Sequence, residues 1–207
     1  MIRRMVFYRL KKDLKERQQA IDALRARFEA AKEKLPGFLS LTFGVDCVGK
    51  ENADCVAIMD FSDQASLDHY AEHDIHKEII AYCQTIRDQS VIVDFPISDE
   101  QAARPMTGGI RHIVAWKFQP AAQGRTNKEN AMEMKRRLEE LAPRIQGALC
   151  MYVGVDSTPQ GHYDGVLDSV FTDFEALHAY KVHPEHVEIS AFCKSVREDR
   201  IAVDFEA

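Results

Sequence analysis

Polar and apolar residues alternate from Arg3 to Leu10 and again from Arg111 to Phe118, the two-residue period of a strand with two unlike faces. Behind each comes an apolar series spaced by threes and fours. It is Ile21, Leu24, Phe28, Ala31 and Leu35 in the first instance, and Ala131, Met134, Leu138, Leu141 and Ile145 in the second. That spacing predicts amphipathic helices. Thr126 and Glu129 stand as a capping box at the start of the second helix. Pro36-Gly37 and Gln146-Gly147 are expected to end the two helices. Two further strands are expected in each case: Phe38 to Val45 with Cys55 to Phe61, and Ala148 to Val155 with Gly165 to Phe171. A second helical region then runs from about Asp63 to Asp88 and from Asp173 to Asp199, and a last strand ends at Phe95 or Phe205.

The two series are copies. Ile2 to Leu10 aligns with Ile110 to Phe118 at an offset of 108 (110 minus 2), and from Gly37 onward the offset is 110 (147 minus 37). Gly44-Val45-Asp46 then falls on Gly154-Val155-Asp156, Cys83 on Cys193, and Val93-Asp94-Phe95 on Val203-Asp204-Phe205. The order βαββαβ is that of a split, ferredoxin-like unit. One such four-stranded sheet, covered by helices on one side, leaves its other side bare. The fold class expected is therefore α+β: two tandem ferredoxin-like domains, 1–97 and 109–207, joined by a Pro- and Gly-bearing linker, 98–108. Their sheets should face each other as an intramolecular barrel, an internal pseudo-dimer that leaves further homo-oligomerisation open.

Composition narrows the class. Hydrophobic residues make up 45% and charged residues 29% of the chain, as in ordinary globular proteins. A net charge of -6 argues against non-specific binding to nucleic acid. Lys and Arg between Lys11 and Lys34 are interleaved with acids, a solvated helix face. No apolar run suits a membrane span, and the basic start lacks a signal-peptide core. Five cysteines without a CxxC pair suit a reduced, cytoplasmic setting. There is no GxGxxG, P-loop or GxSxG pattern, so no cofactor is expected. Gly44 and Gly154 are read as marking a bulge near a strand end.

One motif is repeated with chemistry in it. Tyr180, His183 and His186 stand in "YKVHPEH", and Tyr70, His73 and His76 stand at the same spacing in "YAEHDIH". With the strand "RHIVAWKF" that opens the second copy, this resembles the stress-responsive A/B barrel family, a group of ferredoxin-like dimeric α+β barrel proteins. The family contains many proteins of unknown activity and a plant polyketide cyclase. That enzyme uses a first-strand histidine with the tyrosine and last histidine of the motif in an aldol ring closure. The resemblance implies catalytic roles for His112, Tyr180 and His186. Copy one departs from the pattern, with Arg4 at the position of His112 and Asp74 at that of Pro184.

Alternation puts His112, Val114, Trp116 and Phe118 on one strand face. For His112 to meet two helical residues, that face must point at the helices, so Val114 and Trp116 are expected to floor a substrate pocket within copy two. Pro184 disfavours helical geometry at His183 and suits the first turn of a new helix. His186 then lies in a first turn, where the positive dipole end favours its neutral form. A neutral histidine accepts a proton at pH 7, and a tyrosine hydroxyl donates to an enolate oxygen. In copy one, Arg4 with Tyr8, Tyr70 and His76 could line a pocket that holds a carboxylate but abstracts no proton. A metal reading of His69, His73 and His76 fails for want of a completing Cys or carboxylate pair, and because the helix break disturbs their shared face. Two readings of function remain. One is a cofactor-free enzyme acting on a small apolar keto compound, by cyclase-type chemistry or, secondarily, as a monooxygenase. The other is a non-catalytic protein that binds a small ligand.

Overall fold

The computed structural model describes residues 1–49, 52–103, 106–158 and 161–207. Lys50, Glu51, Pro159 and Gln160 of the two strand-joining turns, with Arg104 and Pro105 of the linker, lie outside the described residues. Copy one runs β1 (Ile2–Leu10), α1 (Arg17–Lys34), β2 (Phe38–Val45), β3 (Cys55–Phe61), α2 (Gln64–Glu72), α3 (Asp74–Ile86) and β4 (Arg87–Pro96). The joining segment carries a short helix, α4 (Asp99–Ala103), where the sequence suggests only a linker. Copy two opens with β5 (Ile110–Phe118) and adds a small hairpin, β6 (Ala121–Ala122) and β7 (Arg125–Thr126), which the sequence reading lacks. Then come α5 (Asn127–Leu141), β8 (Ala148–Val155), β9 (Gly165–Phe171), α6 (Phe174–Val182), α7 (Pro184–Val196) and β10 (Arg197–Glu206).

Local chemistry explains the boundaries. The Thr126–Glu129 capping box forms at α5. Asp63 and Asp173 cap α2 and α6 by accepting from the backbone N–H groups of Ser66 and Ala176. Gly37 and Gly147 follow their helices with φ of +81°, a conformation that costs other residues energy. The second helical region is broken in both copies. Pro184 explains the break at His183. In copy one His73 takes the same extended backbone (ψ 146°), and its Nδ1 accepts from the Ile75 N–H.

Each copy forms an antiparallel four-stranded sheet, ordered β2-β3-β1-β4 and β10-β5-β9-β8. Helices cover one side of each sheet, and the other sides meet in a shared apolar layer. Met5, Phe7, Val56 and Val93 pack there against Ile113, Val166, Ile201 and Val203. The barrel closes by reciprocal strapping of sheet edges. The chain after β2 runs along β10, with Cys47 N–H donating to the Asp204 carbonyl (2.9 Å) and Ala53 N–H to that of Ala202 (2.8 Å). The chain after β8 covers β4 in the same way, through Ser157 to Asp94 (2.9 Å) and His162 to Ile92 (2.8 Å). Two outer strand edges are thereby paired rather than left to associate with other chains.

The strand glycines do not mark bulges. The register shifts of β2 and β8 lie at their starts, between Phe38 and Ser40 and between Ala148 and Cys150. A Cβ on Gly44 would sit 2.3 Å from the Phe205 ring, and one on Gly154 would sit 2.4 Å from that of Phe95. Each glycine admits the phenylalanine of the other copy's Val-Asp-Phe motif.

Buried charge sits in the same seam. Arg3 holds Asp60 through Nε (2.6 Å) and Nη2 (2.8 Å), and Arg111 holds Asp168 through Nε (2.8 Å) and Nη2 (2.7 Å). Tyr152 donates to Asp168 (2.7 Å) and contacts Arg3, which links the two pairs across the copies. Bidentate geometry offsets the desolvation of these ions. Among the described residues, no helix is long and apolar enough to cross a membrane.

Candidate functional site

On β5 the residues Ile113 and Ala115 belong to the seam, so alternation turns His112, Val114, Trp116 and Phe118 toward α5, α6 and α7. A cavity of about 250 Å³ lies between sheet and helices there. Val114, Trp116, Met134, Leu138, Leu167 and Ile189 supply its apolar walls, and His112, Tyr180 and His186 reach it as well. Every residue of copy two assigned to catalysis or substrate contact from the sequence therefore borders one space.

The three aromatic residues form a row. The Tyr180 ring lies 4.1 Å from the His186 ring and 6.3 Å from that of His112, centroid to centroid. The Tyr180 hydroxyl is buried and has no hydrogen-bond partner among the described residues. Burial pushes its pKa up, so it stays protonated and can donate to a basic ligand atom. The Nδ1 of His186 bonds the Lys181 carbonyl (3.1 Å), an acceptor, so that nitrogen carries the proton and Nε2 holds a lone pair. Burial leads in lowering the His186 pKa below its ordinary value. The neutral form foreseen from the helix dipole is thus favoured chiefly by desolvation.

Asp204 has a central place that the sequence reading did not give it. Its β10 position pairs with His112 of β5, and its Oδ1 bonds His112 Nδ1. Its Oδ2 accepts from Lys181 Nζ (3.2 Å). Burial raises the Asp204 pKa, but His112 and Lys181 outweigh it and bring it down to about 2. His112 moves below its ordinary value because burial outweighs the attraction of Asp204. Both directions describe one state: a neutral imidazole whose Nδ1–H donates to a carboxylate, which leaves the Nε2 lone pair as its basic atom. The signal for Asp204 was present in Val203-Asp204-Phe205. An acid between two residues bound for the seam must face the helices.

Copy one is built differently at the matching position. Arg4 is buried and holds Asp94, the counterpart of Asp204, through Nε (2.8 Å) and Nη2 (2.6 Å). The expected carboxylate site is therefore already occupied by a carboxylate of the chain itself. Tyr8 is buried against Phe28, with centroids 6.4 Å apart. Tyr70 stacks on His76 at 4.4 Å, and His76 Nδ1 bonds the Ala71 carbonyl (2.9 Å). The Tyr–His stack is thus common to both copies, whereas the His–Asp pair exists in copy two alone. His69 and His73 touch ring to ring, but among the described residues no group of His, Cys, Asp and Glu could hold a metal ion.

A family model described as the Stress responsive A/B Barrel Domain matches residues 2–97 and again 110–207. The chain belongs to that family. No curated protein matches the sequence. Among solved structures, an anthrone oxidase-like protein superposes with a TM-score of 0.71 at 9% identity, covering 99% of this chain and 90% of that one. A protein from Fusobacterium nucleatum described as a candidate monooxygenase gives 0.58 at 15% identity, covering 99% and 91%. Another so described, from Lactobacillus acidophilus, gives 0.54 at 12%, covering 99% and 92%. At such identities the likeness is one of fold, and it extends over both copies of this A/B barrel protein.

Proposed function

We propose that the cavity of copy two is the active site of a cofactor-free enzyme that generates an enolate from a small apolar keto compound. The observation that carries this reading is the pairing of His112 with Asp204 at the cavity wall. Asp204 fixes the tautomer and orientation of the ring, as a positioning residue. His112 Nε2 takes a proton from the carbon next to a carbonyl, and the electron pair moves onto the carbonyl oxygen. The Tyr180 O–H donates to that oxygen, which lowers the energy of the charge as it forms. The enolate carbon then bonds to a second carbonyl carbon of the same molecule, whose oxygen receives a proton from the His112 imidazolium or through His186. Atoms and charge balance without a redox partner. Monooxygenase chemistry, which the names of the fold neighbours suggest, would share the proton abstraction.

A binding role without chemistry also has an observation behind it. The Tyr–His stack and its bond to a carbonyl five residues back recur in copy one, where no strand histidine exists. That repetition favours a structural task for Tyr180 and His186 and leaves His112 to decide the matter. Deuterium incorporation next to the carbonyl, followed by NMR in D₂O over a panel of enolisable aryl and alkyl ketones, tests the enzymatic reading. It stands if exchange is catalysed and His112→Ala removes it. Exchange no faster than in buffer, or unchanged in the folded variant, would leave ligand binding as the function.

A further inference from the structure

The mouth of the same cavity carries four cations. Lys181 closes α6, Lys194 lies on α7, and Arg197 and Arg200 lie on β10; all four border the cavity. None of its described lining residues is acidic. Of the nearest acids in sequence, Glu198 pairs with Lys117 (2.7 Å), and Asp199 accepts from the Tyr163 hydroxyl (2.5 Å) and from the Arg200 backbone N–H (2.8 Å). Asp204 bonds His112 and Lys181 from behind the wall. Arg200 faces the helices beside Trp116, its partner in the strand register. Its charge reaches His112, Tyr180 and Cys193, each of whose proton affinities it lowers. At the matching positions copy one has Ala71, Gln84, Arg87 and Ser90, so three of the four cations belong to copy two alone.

We infer that this site takes a compact organic anion, with a carboxylate at the Lys181–Lys194–Arg200 mouth and an apolar body on the Val114–Trp116–Leu138 floor. It rests on the proposed function only in placing the ligand's body beside His112. Four cations against the one carboxylate of Asp204 leave a net positive mouth that raises the local concentration of anions, and a planar guanidinium suits a carboxylate. The volume is below the range of about 300–1,000 Å³ that holds drug-sized ligands, so the body is small. Anion selectivity, expected from the sequence for copy one because of Arg4, is thereby moved to copy two.

Trp116 is the only tryptophan of the chain and a wall of the cavity, so its fluorescence reports occupancy. The probes are octanoate, the uncharged octanamide of equal length, and acetate. Octanoate should bind at least about tenfold more tightly than octanamide, and acetate weakest of the three. Arg200→Ser, which installs the residue of copy one, should weaken octanoate by about tenfold and leave octanamide unchanged. Lys194→Gln, on the exposed surface, should weaken octanoate by a smaller factor and serves if Arg200→Ser does not fold. Equal binding of octanoate and octanamide to the wild type overturns the inference, as does acetate binding as tightly as octanoate. Octanoate binding that survives His112→Ala without any proton exchange would sustain the inference while removing the enzymatic reading. Exchange without octanoate binding would do the reverse.

Discussion

Asp94 and Asp204 occupy the same place in the two halves, and the residue opposite decides what each can do. Opposite Asp94 stands Arg4, a permanent cation with two donors aimed at one carboxylate. The pair is dry and closed. Opposite Asp204 stands His112, which uses one nitrogen on the carboxylate and keeps a second for whatever enters the cavity. The adjoining positions change in step. Ile92 in copy one becomes Ala202 in copy two, Phe28 becomes Leu138, and Ser90 becomes Arg200. The same backbone thus holds a packed, self-neutralised half and a half with space, a free base and a charged mouth. Both halves complete the barrel and strap each other's edges, and duplication leaves one of them at liberty to carry the proposed site.

The sharpest way to break this contrast is to remove each strand-one residue in turn. His112→Ala should lower turnover by about 10²–10⁴-fold, the span usual for loss of a general base. Arg4→Ala should leave the chemical step intact where the protein folds. Equal losses of the chemical step in two folded variants would show that the halves do not differ in this way. Asp204→Asn separates a positioning role from mere structure. It should lower the rate and displace the acid limb of the pH–rate profile, because the ring loses its anionic partner.

Stability should show the opposite ranking. Asp94→Ala strands the Arg4 guanidinium in a dry layer and should cost about 3–5 kcal/mol in urea unfolding. His112→Ala removes one donor from Asp204 but leaves that carboxylate its bond to Lys181 (3.2 Å), and should cost less. A smaller loss for Asp94→Ala than for His112→Ala would mean that water reaches Arg4 and that copy one is not closed.

Asp204 makes a pH-dependent contribution. Its folded pKa of about 2 lies below the ordinary aspartate value. The stabilisation is therefore present above roughly pH 4 and lost as pH falls through about 2, and amounts to about 2 kcal/mol. His112, whose folded pKa is lowered, acts in the same sense at higher pH: its stabilising contribution is present above about 6.5 and declines below it. Unfolding of the wild type and Asp204→Asn, measured between pH 7 and pH 2, should differ most near neutrality and converge in acid. A gap that stays constant with pH would sever Asp204 from the histidine.

How much of this was legible beforehand depends on the range of the interaction. The copies, their element order and the break at His183 rest on local patterns, and the sequence carries those directly. The break in copy one was visible only by analogy, since His73 caps its own helix where a proline is lacking. The seam was foreseen as two facing sheets, but Arg3, Asp60, Arg111, Asp168 and Tyr152 were not foreseen in it. Their compatibility comes from contacts across the barrel rather than from spacing. Asp204 was missed for a related reason. Facing direction follows from alternation, but the register that puts it opposite His112 is set by the whole sheet. The strand glycines were misread because the ring each accommodates comes from the other copy.

The smallest effect tests the difference in packing alone. Ala202 lies opposite Val114 on β10, as Ile92 lies opposite Val6 on β4. Ala202→Ile adds three carbons beside Val114, which borders the cavity, without altering a charge. In a filled core that insertion costs about 1–3 kcal/mol, because neighbours must leave their rotamers. Beside an open space the new atoms enter the void and gain contacts there, so stability should change by less than about 1 kcal/mol. Octanoate binding, read from Trp116, should weaken several-fold as the volume is used up. Ile92→Ala in copy one should instead lose stability, by up to about 2 kcal/mol for a half-buried side chain, and should not improve octanoate binding. If Ala202→Ile destabilises as strongly as insertion into a filled core, and octanoate binds as before, the two halves are packed alike at this position. The contrast between them would then reduce to Arg4 against His112.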